Sequence, residues 1–279
     1  MPVRHALSIA DLDASDLRHI VERSVRFGSG RMADARPLVG RIVGIYFRKP
    51  STRTRTSFTA AAIRLGAIPI AYGPGDLQIT TGETLEDTAR TLSGYLDILV
   101  IRTNESMEEM RTLAAVQNEM AIVNALTEDE HPTQAIADLG TLLETFGRLQ
   151  DLHVLYLGEG NSTAAALALS MATLPGMQLT LVTPEGYGLP APQLERARKL
   201  ATETGSVIEQ HHDMAELPRN VDAVYTSRWQ TMGVTKGGDA WRDRFAPYKV
   251  TAEVMARVSK TSDTIFLHDL PAVRGEDVD

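Results

Sequence analysis

Short apolar runs alternate along the chain with longer stretches in which apolar residues recur every three or four positions. A first series of runs covers residues 42–47, 67–72, 97–101 and 121–126. A second covers 152–157, 178–182, 207–210, 223–226 and 264–267. Each is four to six residues long, often β-branched, and bounded by polar, Gly or Pro residues, the pattern of a buried strand. Between them, helical periodicity predicts helices over 57–65, 85–96, 107–117, 132–146, 163–173, 192–204 and 252–258. Ser106 followed by Glu109 reads as a capping box for the third of these. Strands alternating with helices imply parallel sheets covered on both faces. The expected fold is therefore α/β, with two doubly wound, Rossmann-like parallel sheets. The boundary is expected near residues 147–151, giving domains 1–147 and 148–279, because a long helix ends at Gly147 and a strand follows. Residues 233–239, rich in glycine and without periodicity, form a candidate lid loop.

Composition narrows the chemistry. With 43% hydrophobic and 23% charged residues among 279, the chain has the makings of a packed core and is not disordered. No apolar run approaches the ~18 residues needed to span a bilayer. Asp11, Asp13 and Asp16 sit where a secretory signal would be apolar, so a cytoplasmic protein is expected. A net charge of -8 argues against a nucleic-acid or anionic-membrane partner. The absence of cysteine excludes disulfides, thiolate nucleophiles and Cys-ligated metals. No metal is expected: His211 and His212 are adjacent and would point apart in a strand.

An acidic chain can still carry a local anion pocket. Residues 48–56, Arg-Lys-Pro-Ser-Thr-Arg-Thr-Arg-Thr, follow a strand and open a helix. A helix start offers free N–H groups and a positive dipole end, and arginine forks and hydroxyls suit phosphate oxygens. The plainer reading is a solvated basic turn, which opposes the helix dipole unless an anion is bound. His131-Pro132-Thr133-Gln134 places a histidine at a helix mouth, where it is either a ligand contact or an ordinary cap. Arg102 closes another strand. All three follow strand ends, where open parallel sheets bind ligands. In the second half, Gly158-Glu159-Gly160-Asn161-Ser162 only partly matches a dinucleotide loop, since the third glycine position is Thr163. Residues 227–233 and His268-Asp269-Leu270-Pro271 also follow strands.

Together, Ser51-Thr52-Arg53-Thr54-Arg55, Arg102, His131-Pro132-Thr133-Gln134 and His268-x-Leu270-Pro271 resemble the aspartate/ornithine carbamoyltransferase family, from about Leu7 to the last residue. The resemblance implies carbamoyl phosphate in the first domain and an amine acceptor in the second. It implies an active site between domains and between subunits of a homotrimer or a dimer of trimers, with no cofactor. Ser51, Thr52, Arg53 and Thr54 would hold the phosphate. Arg102 would touch phosphate and carbonyl oxygen, and His131 would donate to that oxygen. Gln134 and the Leu270 carbonyl would hold the carbamoyl NH2, and Gln78 would be lent to a neighbouring subunit. Catalysis would fall to Arg53, Thr54, Arg102 and His131.

The acceptor set implied is Asn161, Ser162, Ser227, Arg228, Thr231, Met232 and Asp269. It departs from both family patterns. Ornithine enzymes have Asp at 227, Asn at 162 and Cys at 269, whereas aspartate enzymes have Arg at 161 and Pro at 269. Arg228-Trp229-Gln230 resembles a carboxylate-binding element of the aspartate type. The expectation is an amine acceptor other than ornithine or aspartate, with an acidic role moved from 227 to Asp269, unless Asp269 simply pairs with an arginine such as Arg274. The alternative to an enzyme is a non-catalytic binding protein on the same fold. Family members continue beyond the position of Asp279 into a C-terminal helix.

Overall fold

The computed structural model describes residues 4–230, 236–238 and 240–279. The chain divides into two compact units. One comprises the segment up to Asp11 and residues 26–133; the other comprises Leu12–Val25 and residues 134–279.

In the first unit, β1 (Ile42–Phe47), β2 (Ile68–Tyr72), β3 (Ile98–Arg102) and β4 (Ala121–Leu126) form a parallel sheet in the order β2-β1-β3-β4. Helices α2 (Thr52–Arg64), α3 (Leu85–Ser93) and α4 (Met107–Ala115) connect them. Alternation along β1 sorts its side chains between two cores. Val43, Ile45 and Phe47 pack with Ala62 and Phe58 of α2, whereas Ile42 and Tyr46 pack with Ala89, Leu92, Met110 and Leu113 of α3 and α4. Both faces are thus covered, which is why the strands read as continuous apolar runs.

In the second unit, β5 (His153–Leu157), β6 (Gln178–Val182), β7 (Val207–His211), β8 (Ala223–Thr226) and β9 (Ile265–His268) make a parallel sheet in the order β7-β6-β5-β8-β9. Its helices are α5 (Pro132–Phe146), α6 (Ser162–Thr173), α7 (Ala191–Thr204), α8 (Ala240–Phe245) and α9 (Ala252–Val258), joined by α1 (Ala14–Gly28). Val25 of α1 lies alongside Gly140 of α5. Helix α6 is buried along its whole length, and Asn161 caps it by accepting from the N–H groups of Thr163 and Ala164. No helix among the described residues is long and apolar enough to cross a membrane.

Each sheet reverses its strand order once. The reversal falls between β1 and β3 in the first and between β5 and β8 in the second, and such switch points open a crevice at the carboxyl ends of the strands.

Two local expectations change. Ser106 starts α4 but makes no side-chain cap, because Glu109 is drawn into a bidentate pair with Arg48 and the Met107 N–H donates instead to Asp129. Helix α2 begins at Thr52, five residues earlier than its periodicity suggested: its first turn is polar because those residues face outward.

Candidate active site

The first unit presents an anion-ready loop at its switch point. Ser51 is the N-cap residue of α2, and its side chain makes no capping bond. Thr52 and Arg53 are exposed, and among the described residues Arg53 has no ion pair. Uncapped N–H groups, a free hydroxyl and an unpaired guanidinium at a helix start are the donors a phosphate needs. Arg48 does not join them: its pair with Glu109 and its position over the Tyr46 ring turn it away.

Arg102 ends β3 on the other side of the switch point. It is only 5% exposed, and its Nη1 donates to Thr54 Oγ1 at 3.2 Å. His131 is also buried. Burial, with a smaller contribution from the Arg102 charge, pulls its pKa down to about 3. At neutral pH the imidazole is therefore uncharged, a donor on one nitrogen and an acceptor on the other. Thr133 Oγ1 lies 3.4 Å from Nδ1. The preceding residue, Glu130, is buried too and binds Ser8 Oγ at 2.6 Å and the Ile9 N–H at 2.7 Å, pinning the loop that presents His131. Gln78 stands apart, exposed in a single 3-10 turn (Gln78–Thr81), with its amide oxygen accepting from Thr81.

In the second unit, Gln134 Nε2 donates to Asp138 Oδ1 at 2.9 Å. That bond fixes the amide orientation and leaves Gln134 Oε1 as an acceptor. Asp138 is buried, and burial, reinforced by the Asp269 charge, raises its pKa to about 7. The Tyr225 hydroxyl lies near it without hydrogen-bond geometry. Neither that hydroxyl nor Asp138 Oδ2 has a partner among the described residues.

At the second switch point, Asn161 Nδ2 donates to Ser227 Oγ at 3.0 Å, and the Tyr156 hydroxyl meets the same oxygen at 2.7 Å. Ser227 and Ser162 are buried, so Ser227 orients Asn161 rather than opening to solvent. Arg228 is half-buried and has no ion pair among the described residues. Gly160 is required by the chain itself, since a Cβ there would lie 2.2 Å from the Leu189 nitrogen. The glycine loop is packed against backbone and is not a dinucleotide cradle. Thr231 and Met232 lie outside the described residues, as does all of the 233–239 loop except 236–238.

Asp269 accepts from Thr163 Oγ1 at 2.9 Å, and its side chain is 17% exposed. Its charged neighbour is not Arg274 but His268, whose Nδ1 lies 3.5 Å from Asp269 Oδ1 and whose Nε2 lies 2.7 Å from Asp277 Oδ2. Burial opposes the charged imidazole, but the two carboxylates outweigh it and raise His268 to about 9. The Leu270 N–H also donates to that Nδ1 at 2.8 Å, a contact that a proton on Nδ1 would break. Asp277 is fully buried against His268, which leaves Asp269 as the available carboxylate. Leu270, next along, is half exposed and in the left-handed region at φ 58°, a conformation that costs a branched residue energy and recurs at ligand sites.

Residues 4–144 match the family model for the carbamoyl-phosphate-binding domain of aspartate/ornithine carbamoyltransferases, and residues 150–279 match the model for their Asp/Orn-binding domain. The chain belongs to the aspartate/ornithine carbamoyltransferase family. It is 37% identical over 276 residues to an ornithine carbamoyltransferase of Anoxybacillus flavithermus, covering 98% of this chain and 86% of the relative. It is 38% identical over 277 residues to that of Acidothermus cellulolyticus, covering 99% and 87%. The solved ornithine carbamoyltransferase of Pyrococcus furiosus superposes with a TM-score of 0.90 at 33% identity, covering 99% of this chain and 87% of that one. This carbamoyltransferase is thus a transferase of the ornithine/aspartate type. The expectation that its acceptor is not ornithine draws no support from relatives that all carry the ornithine name.

Proposed function

We propose that the enzyme transfers the carbamoyl group of carbamoyl phosphate to the side-chain amine of a small amino acid that also bears a carboxylate. The named relatives put ornithine first among such acceptors. Carbamoyl phosphate would sit on Ser51, Thr52, Arg53 and Thr54, with Arg102 reaching phosphate and carbonyl oxygen. Gln134 Oε1 and the Leu270 carbonyl would accept from the carbamoyl NH2. Gln78 would serve a neighbouring subunit of a trimer.

The chemistry follows from these groups. The amine nitrogen attacks the carbamoyl carbon, the carbonyl oxygen gains negative charge, the C–O bond to phosphate breaks, and phosphate departs with the proton the amine sheds. Arg102, Thr54 and neutral His131 are donors aimed at the developing charge, and one such donor is typically worth ~2.7–4 kcal/mol. An alkylamine of pKa ~10.4 must first lose its proton, at about 4.6 kcal/mol at pH 7 (about 3.4 pKa units at 1.36 each). The dianionic phosphate is the base at hand.

On the acceptor side, the α-carboxylate would pair with Arg228 and the α-ammonium with Asp269. The observation that carries this reading is the partly exposed Asp269 carboxylate, beside a His268 whose Nε2 is committed to the buried Asp277. The residues around which the family alters its acceptor pocket are neutral here at 161, 162 and 227, so Asp269 is the acidic group left to the task. A colorimetric ureido assay over ornithine, 2,4-diaminobutyrate, 2,3-diaminopropionate, aspartate and putrescine tests it. Turnover should be far more efficient with an amino acid that has a second amine than with its decarboxylated amine. Equal turnover of putrescine, or turnover of aspartate alone, would overturn the acceptor reading. Binding of carbamoyl phosphate without turnover of any amine would favour a sensor.

A further inference from the structure

Lys236 is held in a manner that serves no step described above. Its side chain is 7% exposed. Its ammonium donates to the Trp229 backbone carbonyl and pairs with Glu159 Oε1 at 2.9 Å. Three rings surround the same nitrogen, with centroids at 4.3 Å for Phe245, 5.0 Å for Trp241 and 5.1 Å for Tyr187. Carboxylate, carbonyl and aromatic faces together make a complete ammonium site, and cation–π attraction strengthens as water is excluded. The chain fills this site with its own lysine.

The consequence lies in what the lysine joins. Glu159 belongs to the loop after β5 that carries Asn161; Trp229 belongs to the loop after β8 that carries Arg228. At their base the two loops are already tied, since the Tyr156 hydroxyl donates to the Glu159 carbonyl and meets Ser227 Oγ, which Asn161 also binds. Arg228 therefore stands between two anchored neighbours: Ser227, fixed from below, and Trp229, whose peptide is fixed by Lys236. We propose that Lys236 is a positioning residue for the acceptor site, clamping the Trp229 peptide to Glu159 so that the Arg228 guanidinium is aimed at the acceptor carboxylate. The proposal rests on the reading of Arg228 given above and adds the device that orients it.

The test compares Lys236→Met with Arg228→Met and the double variant, with Glu159→Gln releasing the same clamp from its other end. Each is assayed with the amino-acid acceptor and with its decarboxylated amine. Lys236→Met and Glu159→Gln should raise KM for the amino acid about tenfold, the scale of one charge-assisted contact. They should change KM for the decarboxylated amine, and the affinity for carbamoyl phosphate, by less than twofold. Adding Lys236→Met to Arg228→Met should then do nothing further, because the two act through one contact. Both of the protein's tryptophans, Trp229 and Trp241, lie at this ammonium, so a shifted emission maximum in Lys236→Met with an unchanged melting temperature would report a local release rather than unfolding. If Arg228→Met raises KM for the amino acid while both clamp variants leave it unchanged, or if the effects add, the positioning role is wrong and the acceptor reading stands. If Arg228→Met itself leaves KM unchanged, both fall.

Discussion

Replacing Asp138 by asparagine should change the pH dependence of stability more than stability itself. The acid titrates at about 7 in the fold against 3.8 ordinarily. Between those values the native state holds a proton that the unfolded chain has released, so stability is full below pH ~4 and declines as pH rises towards 7. The gap of about 3.2 pKa units at about 1.36 kcal/mol each bounds the loss at about 4 kcal/mol, of which about 3 falls between pH 5 and 8. The amide of the Asp138→Asn variant would be neutral throughout and would escape that loss, while it keeps an oxygen for the Gln134 Nε2 bond. His268, raised to about 9, also ties stability to pH: its contribution is complete below 6.5 and is lost as pH rises through 9. It does so in both proteins and cancels in their difference. Urea unfolding of both at pH 5, 6, 7 and 8 measures the effect. The stability difference should move in favour of Asp138→Asn by up to about 3 kcal/mol across the series. Parallel curves would refute the inference that Asp138 is held protonated by its burial and by Asp269.

Three further substitutions follow from the site. Arg53→Ala should weaken carbamoyl phosphate binding by titration calorimetry on the order of a hundredfold, the loss of a bidentate charged contact, with the melting temperature unchanged because the side chain is exposed and unpaired; near-normal affinity would remove the phosphate loop from the site. His131→Ala should lower kcat by ~10²–10³ while the Kd for carbamoyl phosphate moves only a few-fold, and the wild-type pH–rate profile between pH 6 and 8 should show no inflection from an imidazole that titrates near 3; a KM effect alone would contradict a donor acting in the transition state. Asp269→Asn should raise KM for the amine about tenfold, leave carbamoyl phosphate affinity intact, and let the His268 pKa fall from about 9 by NMR titration; unchanged amine kinetics would mean the ammonium is anchored elsewhere.

Most strands are legible to within a residue or so at each end because the inner strands are covered on both faces and read as apolar runs, whereas the edge strand β7, Val-Ile-Glu-Gln-His, offers only its first two residues as a cue. Helix α1 is missing from the periodicity reading, although Asp13 accepts from the Asp16 N–H and buried Leu17 and Val21 stand four apart. Asp13 and Asp16 are the cues for that helix start. Helix α8 escapes because a six-residue helix of aromatic and charged residues shows too few turns for a period. Residues at strand ends are found by their position: Arg102, His131 and Asp269 each lie at or after a strand end in the linear chain. What the sequence does not disclose depends on burial and on partners far along it. Asp138 looks like an ordinary polar position of a helix, Asp277 like a tail residue, and Lys236 like part of a glycine-rich loop. Only the fold gives the first an unpartnered oxygen, seats the second on His268 at 2.7 Å, and surrounds the third with three rings.

On the proposed reading, the second unit's charges also bear on how one pocket would hold an ammonium and still release a neutral amine. A carboxylate beside the reacting nitrogen would stabilise its charged form and oppose attack. The groups here divide that burden. Asp277 is committed to His268 Nε2, Asp269 is the carboxylate available to pair with a single ammonium, and Asp138 is raised to about 7. An acceptor with two amines can commit that one charge to its α-ammonium and leave the other nitrogen with no carboxylate partner, free to lose its proton to the departing phosphate. An acceptor with a single amine has to choose between being held and reacting. One available carboxylate, and not the mere presence of acidic residues, is thus what would select a diamino acid on the proposed reading.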